Sequence, residues 1–236
     1  MENMDIGRSF TFVFEDQNWV VKILIGGLVV LFSFLLIPIP IILGYQVTVI
    51  RNTARGADLP LPEWDNFGRY FSEGIQLIIG GIVYYLPVIL LVCVGAGIGA
   101  LTSNSNGNGS GAAGVLVACL NCIIGLLSLA LGLIFPAAVI RYAATGRLAA
   151  MFEFGKVWDF IRNNPGNYIV AVLLGWVASL VAGVVAVFTC FLGTPWTSWW
   201  STLVQGHLLG QVWRAAQGSV TGAVAGPELG GSELPA

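Results

Sequence analysis

Three stretches of this chain contain no Asp, Glu, Lys or Arg, and each can hold at least one helix that crosses a lipid bilayer. They are residues 23–50, 74–140 and 163–213. A spanning helix needs about 20 apolar residues. Of the 236 residues, 56% are hydrophobic and only 9% are charged, and a water-soluble fold cannot bury so much apolar surface. The pattern therefore predicts an all-α, multi-pass membrane protein.

The second and third stretches each have room for two spanning helices. Within the second, a polar, glycine-rich segment at residues 102–114 predicts a loop. Within the third, Gly193-Thr194-Pro195 predicts a turn. The first stretch is ambiguous, because Pro38 and Pro40 either kink one long helix or turn the chain between two short ones.

An internal repeat favours the turn. Three segments begin alike, with an apolar residue, a glycine, a base and then an aromatic residue: 6–10, 67–70 and 154–158. Three segments end alike, with two apolar residues and an arginine: 49–51, 139–141 and 212–214. If the units are equivalent, their basic flanks share one side of the membrane, so each unit crosses twice. The repeat predicts six transmembrane helices as three hairpins, each preceded by an amphipathic interfacial segment.

The same pattern predicts the domain organisation and the location. One membrane domain would cover residues 1–218, and a disordered tail would follow at 219–236. The repeat-like units within the domain are 5–56, 64–146 and 150–218. Because Lys and Arg near spans mark the cytoplasmic side, the charged segments and both termini are expected there. In this arrangement Trp64 belongs to an inner aromatic belt and Trp199 to an outer one.

Ionisable side chains within the predicted spans are scarce. His207 is the exception. It is either a pH-responsive or ligand-binding group or, in the plainer interpretation, the partner of an interhelical hydrogen bond or a residue near the solvated end of an amphipathic helix. Cys119 and Cys122 form a C-x-x-C on one helix face, which is either a redox pair or two small apolar residues. The pattern predicts no catalytic residue, no cofactor and no metal site, and the sparse basic residues argue against nucleic-acid binding.

Two further features have a functional and a structural interpretation. Pro87 and Pro136 are candidate helix-break positions that could mark a transport pathway, or they simply kink their helices. Small residues at four-residue spacing let helix backbones approach closely in lipid. Such a helix-packing face is predicted at Ala171, Gly175, Ser179 and Gly183. Its partner is either another helix of the chain or a second copy.

A set of polar and aromatic residues forms a candidate motif on the cytoplasmic face. It comprises Asp16, Asn18, Trp19, Arg51, Pro62, Glu63, Trp64 and Asp65. The stretch from Leu59 to Asp65 is either a docking or gating element or an interfacial turn with paired charges. With Gly26-Gly27 and Gly44-Tyr45, these residues resemble the domain-of-unknown-function 4013 family of prokaryotic membrane proteins. The resemblance implies a multi-helix protein of a bacterial or archaeal cytoplasmic membrane and assigns no active-site residues.

Three functions are compatible with these sequence features. The first is a non-enzymatic scaffold or accessory subunit, which associates with itself or with other membrane proteins. The second is a transporter or channel for a neutral or lipidic solute. The third is a membrane enzyme that uses interfacial carboxylates such as Glu63 and Asp65. We expect the first, because the sequence offers small-residue helices and interfacial segments but no nucleophile, metal triad or phosphate loop.

Overall fold

The computed structural model describes residues 4–103 and 110–224, with side chains from 4 to 100 and from 114 to 218. Within these ranges eight α-helices follow one another: α1 (Ile6–Thr11), α2 (Trp19–Leu31), α3 (Pro38–Ala54), α4 (Phe67–Ser103), α5 (Ser110–Thr145), α6 (Phe154–Asn163), α7 (Pro165–Phe188) and α8 (Thr194–Val224). Short 3-10 turns lie at Phe12–Glu15, Phe32–Leu35 and Leu148–Phe152. The described ranges contain no β-strand, so the all-α prediction is confirmed.

Among the residues that the structure describes, three helices, α4, α5 and α7, are long and apolar enough to cross a membrane. Taken together, the segments Ile6–Glu15 and Trp19–Leu35 are also long and apolar enough, but the chain bends by 98° between them. The finer prediction of six crossings is not confirmed. At about 1.5 Å per residue, the 13 residues of α2 and the 17 of α3 are shorter than a bilayer core of about 30 Å.

The first charge-free stretch forms two helices and not one kinked helix. The chain turns at residues 32–37, where Leu36 has a φ of 64°. Pro38 then begins α3, a position that proline favours because the first turn of a helix needs no amide donor. Apolar side chains cover the apex of this hairpin, and Phe34, Leu36 and Ile37 are all exposed.

The packed core surrounds α8, which contacts α2, α3 and α7. Glycines permit the closest approaches. A Cβ atom on Gly44 would overlap the backbone carbonyl of Tyr70, and one on Gly74 would overlap that of Pro40. The backbones of α3 and α4 are therefore in direct contact, as expected for small residues at a membrane helix interface.

Several boundaries differ from the prediction. The helices α4 and α5 extend through Ser103 and from Ser110, so most of the predicted 102–114 loop is helical, and residues 104–109 lie outside the described ranges. Helix α8 continues to Val224, which places the first residues of the predicted disordered tail in a helix; the remainder lies outside the described residues. An amphipathic segment was predicted before each hairpin, but in the second unit α4 begins directly at Phe67 and no separate helix lies between α3 and α4.

The four residues of the predicted helix-packing face on α7 differ in their burial. Ala171 and Gly175 are buried, and Gly175 lies against Gln205 of α8, so the partner is within the chain. Ser179 is exposed but accepts a hydrogen bond from Gln205 Nε2 at 2.9 Å. Gly183 is exposed and faces open space. The buried stripe instead continues through Ala178, Ala182 and Ala186, because 3.6 residues per turn moves a strict four-residue repeat off the interface.

The two candidate break positions lie inside continuous helices. Pro87 is within α4 and is exposed, while Pro136 is within α5 and half-buried. Pro136 lines a cleft of about 40 Å³ together with Gly175 and Gln205.

Candidate functional site

The segment from Pro60 to Asp65, here called the strap, is held in place through its carbonyl groups. Four consecutive backbone carbonyls each accept a side-chain hydrogen bond. The donors to Pro60, Leu61, Pro62 and Glu63 are, in that order, Asn52, Lys22, Tyr45 and Tyr70. Pro60 and Pro62 have no amide hydrogen and need no acceptor. Side chains therefore satisfy the first four carbonyls of the strap, which forms neither a helix nor a sheet.

Lys22 joins the two halves of the predicted motif. Its ammonium group lies 2.7 Å from Asp16 Oδ2 and 2.7 Å from Glu63 Oε1. The side chains of Lys22 and Asp16 are 4% and 7% exposed, so this pair is buried, whereas Glu63 is 65% exposed. Asp16 also accepts a hydrogen bond from the amide of Asn18. The ammonium group thus neutralises a buried carboxylate and ties the strap to α2.

Aromatic rings pack beneath the strap. Tyr45 and Trp64 stack with centroids 4.4 Å apart, and Trp199 lies 5.0 Å from Tyr45 and 5.5 Å from Trp64. Trp199 is fully buried against Gly26. The prediction of separate inner and outer aromatic belts is therefore wrong for Trp64 and Trp199, because two belts on opposite membrane surfaces cannot touch. Burial explains the position of Trp199 better than anchoring at a membrane surface does.

The outer face of the strap borders a shallow groove of about 320 Å³. Asn18, Lys22, Glu63, Trp64 and Asp65 line it, together with apolar residues of α2. Its polar groups are two exposed carboxylates, an amide and an ammonium group that is already paired. The Trp64 ring stacks with Tyr45 and with Phe67. The contacts favour the structural interpretation of the motif, an interfacial turn with paired charges.

Two members of the motif lie elsewhere. Trp19 packs edge-on against Phe14, with ring centroids 5.0 Å apart. Arg51 is buried and joins three helices, because its Nε donates to the carbonyl of Ala143 at 2.8 Å and its Nη1 lies 2.6 Å from Glu73 Oε1. It therefore fastens the end of α3 to the first turns of α4 and the last turns of α5.

A second polar cluster surrounds His207, which is buried in α8. His207 Nδ1 is 3.0 Å from Ser9 Oγ of α1, and its ring stacks on Phe12 with centroids 4.3 Å apart. The plainer interpretation, an interhelical hydrogen bond, is confirmed. Gln211 Nε2 donates to Ser9 Oγ and to the carbonyl of Asp5. These contacts hold α1 along α8.

Arg8 and Glu153, which both lie outside the long apolar helices, form ion pairs that shift their own pKa values. The hydrogen bond to Glu15 raises the pKa of the Arg8 guanidinium. Arg141 and Lys156 both contact Glu153 and hold the pKa of its carboxyl below the ordinary value. The second pair links α5 to α6, the amphipathic helix of the third unit. Of that helix, Val157 is buried and Trp158 is exposed.

The thiols and metal-ligating side chains present no assembled centre in the described part of the chain. Cys93, Cys119, Cys122 and Cys190 are free and exposed. No group of three or more His, Cys, Asp or Glu side chains that could hold a metal ion occurs among the described residues.

The sequence interpretation missed four residues that build the motif site: Lys22, Tyr45, Tyr70 and Trp199. Lys22 is the last charge before the first apolar stretch, which is also the position of an ordinary membrane-flanking lysine. Tyr45 could be recognised as part of the Gly44-Tyr45 pair. The acceptor of its hydroxyl, the carbonyl of Pro62, lies in the irregular segment between α3 and α4. Their roles depend on the fold of the strap, which no local spacing indicates.

Comparison with known proteins gives one match. Residues 28–191 match the family model described as a protein of unknown function (DUF4013). The match includes the strap but begins after Asp16, Asn18 and Trp19. Neither the curated proteins nor the solved structures contain a significant match.

Proposed function

Because the chain belongs to the DUF4013 family, whose function is unknown, we propose its role from its own surfaces: a non-enzymatic scaffold or accessory subunit of the membrane. The protein would present a preformed pair of helices to another membrane protein or to a second copy of itself. The transport alternative has less support, since the helices continue through Pro87 and Pro136.

One observation carries this proposal. Residues 85–100 of α4 and 114–131 of α5, here called the outer hairpin, include no buried residue. Gly95 packs against Leu120 across this hairpin, whereas a Cβ on Gly97, Gly99 or Gly125 would meet nothing within 4 Å. Small residues on an open helix face allow another helix to approach closely in lipid. The outer hairpin is thus an interaction surface within the membrane.

The membrane placement is part of the same proposal. The cytoplasmic membrane of a bacterium or archaeon would hold α4, α5 and α7, the described helices that are long and apolar enough to cross it, with the charged connections on the cytoplasmic side. Both termini would share the cytoplasmic side because α8, although less apolar than those three helices, would cross as well. Helix α8 packs along α7 after a connection of only residues 189–193, so the two helices run antiparallel. The hairpin of α2 and α3 would enter from the same side. Because it is short and its apex is apolar, the apex would remain within the bilayer.

A photo-crosslinking amino acid at Leu126 tests the scaffold role. Leu126, on the outer hairpin, is 70% exposed, and Leu180, on α7, is 69% exposed, so the two positions are matched in accessibility. In cells, position 126 is expected to give a protein crosslink, to itself or to a partner, at least about fivefold stronger than position 180. The larger yield follows from contact with a protein surface rather than with lipid.

Blot analysis of the crosslinked products and size measurement in mild detergent supply the readout. If the protein runs as a lone monomer and position 126 crosslinks no better than position 180, the scaffold proposal is wrong. A crosslink at both positions with equal yield would also contradict it, because the association would then not involve the outer hairpin specifically.

A further inference from the structure

An open groove of about 380 Å³ lies between the end of α5, helix α6 and the later part of α8, and is here called the interfacial groove. Its polar lining residues are Arg141 and Gln217. The other lining residues are apolar: Ile140, Ala144, Phe160, Trp213 and Ala216. None of them belongs to the strap or to the outer hairpin, so the groove is a separate feature of the protein.

The interfacial groove lies where two charge-free stretches end. Ile140 is the last residue of one stretch and Trp213 the last of the other. In the membrane placement proposed above, this level is the cytoplasmic surface of the bilayer. On α6, Phe154 and Trp158 are one turn apart and are 60% and 56% exposed, as expected for a helix that lies in that surface. The groove therefore meets both the apolar core of the bilayer and its charged edge.

Two cationic groups share one carboxylate oxygen at the polar end of the groove. Arg141 Nη2 lies 2.6 Å from Glu153 Oε2, and Lys156 Nζ lies 3.2 Å from the same atom. The side chains of Arg141 and Lys156 are 24% and 63% exposed, so both can be reached from solvent. One negative charge therefore faces two accessible positive charges.

Neighbouring charges do not cancel this surplus. The other charged residues between positions 141 and 162 are two bases and one acid: Arg147, Arg162 and Asp159. Glu73 of α4 meets α5 through the hydroxyl of Tyr142, but its carboxylate is already paired with Arg51 and Arg69. The surroundings of the groove thus keep a net positive charge and favour an anionic group.

The apolar floor of the groove is fixed by contacts within the chain. Ile140 is only 1% exposed. The Phe160 ring lies edge-on against Tyr168, with centroids 6.2 Å apart, and the Tyr168 hydroxyl donates to the carbonyl of Leu133. Ala144 is exposed and too small to fill the space above this floor. A preformed apolar surface costs little ordering when a ligand covers it.

We propose that the interfacial groove binds one anionic phospholipid. An acyl chain would cover the apolar floor, and the phosphate would accept hydrogen bonds from Arg141 and Lys156, since both are strong donors to phosphate. A zwitterionic lipid carries a cation of its own and gains less from the positive surplus. The proposal rests on the membrane placement given above, but it does not depend on the outer hairpin.

Native mass spectrometry of the full chain in detergent, titrated with phosphatidylglycerol or phosphatidylcholine, tests the proposal. The wild type is expected to retain one phosphatidylglycerol molecule, bound about tenfold more tightly than phosphatidylcholine. Lys156→Met should reduce this preference to about twofold, because a charge-assisted hydrogen bond to the anionic lipid is lost. Lys156 is 63% exposed, so the loss is not a consequence of unfolding.

Filling the groove tests the site of the acyl chain. Ala144→Phe is expected to weaken the binding of both lipids about tenfold, the effect of excluding about two methylene groups of the chain. Ala130→Phe is the matched control, because Ala130 is also exposed on α5 but does not line the groove. If the wild type binds both lipids equally, or if Ala144→Phe and Ala130→Phe behave alike, the proposal is wrong. A failed crosslink at position 126 would overturn the scaffold role and leave these lipid affinities unchanged.

Discussion

Replacing Lys22 with methionine is expected to lower the free energy of unfolding by about 3–5 kcal/mol, the usual cost of removing one partner from a buried ion pair. Methionine keeps the length of the side chain but leaves the carboxylate of Asp16 buried without its cation. The hydrogen bond to the carbonyl of Leu61 is lost as well, so the strap loses one of its four side-chain donors. Denaturation in detergent, followed by tryptophan fluorescence, measures the effect.

Lys156→Met is the control for this experiment. Lys156 contacts Glu153 at 3.2 Å, but its side chain is 63% exposed, and a surface pair contributes at most about 1 kcal/mol. The double variant Lys22→Met with Asp16→Leu should regain part of the lost stability, because no uncompensated charge remains buried. Equal effects of Lys22→Met and Lys156→Met would show that the buried pair does not hold the strap.

Gly44→Ala is expected to destabilise the protein by at least ~3 kcal/mol, the upper part of the range for overpacking in a core. The added methyl group would overlap the backbone carbonyl of Tyr70. A backbone atom cannot rotate away as a flexible side chain can, so α3 and α4 would have to separate. The melting temperature in detergent and the yield of folded protein after extraction measure the loss.

Gly97→Ala provides the matched substitution in α4. A Cβ at Gly97 would meet no atom within 4 Å, and alanine is the better helix former by about 0.8–1.0 kcal/mol. This variant should therefore be as stable as the wild type or slightly more stable. If Gly44→Ala were as well tolerated as Gly97→Ala, the close contact between α3 and α4 would not exist.

The long helices could be predicted from the sequence because their signal is local. Absence of charge over a long run is sufficient to find α4, α5 and α7. The turn in the first stretch was also predictable, but its position was not. It lies just before Pro38 and not at Pro38–Pro40, because proline favours the first turn of a helix. The loop at residues 102–114 was predicted too long, because a polar composition does not prevent a helix from continuing for another turn.

The candidate site was harder to predict, because its contacts join residues that are far apart in the chain. Asp16 and Glu63 were both candidates, but the lysine that joins them has the ordinary appearance of a flanking charge. Trp199 lies in a tryptophan-rich segment that is typical of an aromatic belt at a membrane surface. It is nevertheless buried, because Gly26 leaves room for its ring. Such complementarity between a glycine and a distant aromatic residue leaves no pattern in a single sequence.

Accessibility of single cysteines to a membrane-impermeant maleimide tests the central claim, that the hairpins enter the bilayer from one side. Cys93, Cys119, Cys122 and Cys190 would first be replaced by alanine, and one cysteine placed at position 36, 58, 114 or 159. In intact cells we predict labelling at 114 alone, labelling at 58 and 159 only after permeabilisation, and none at 36. Labelling of 58 and 159 from opposite sides would contradict the account.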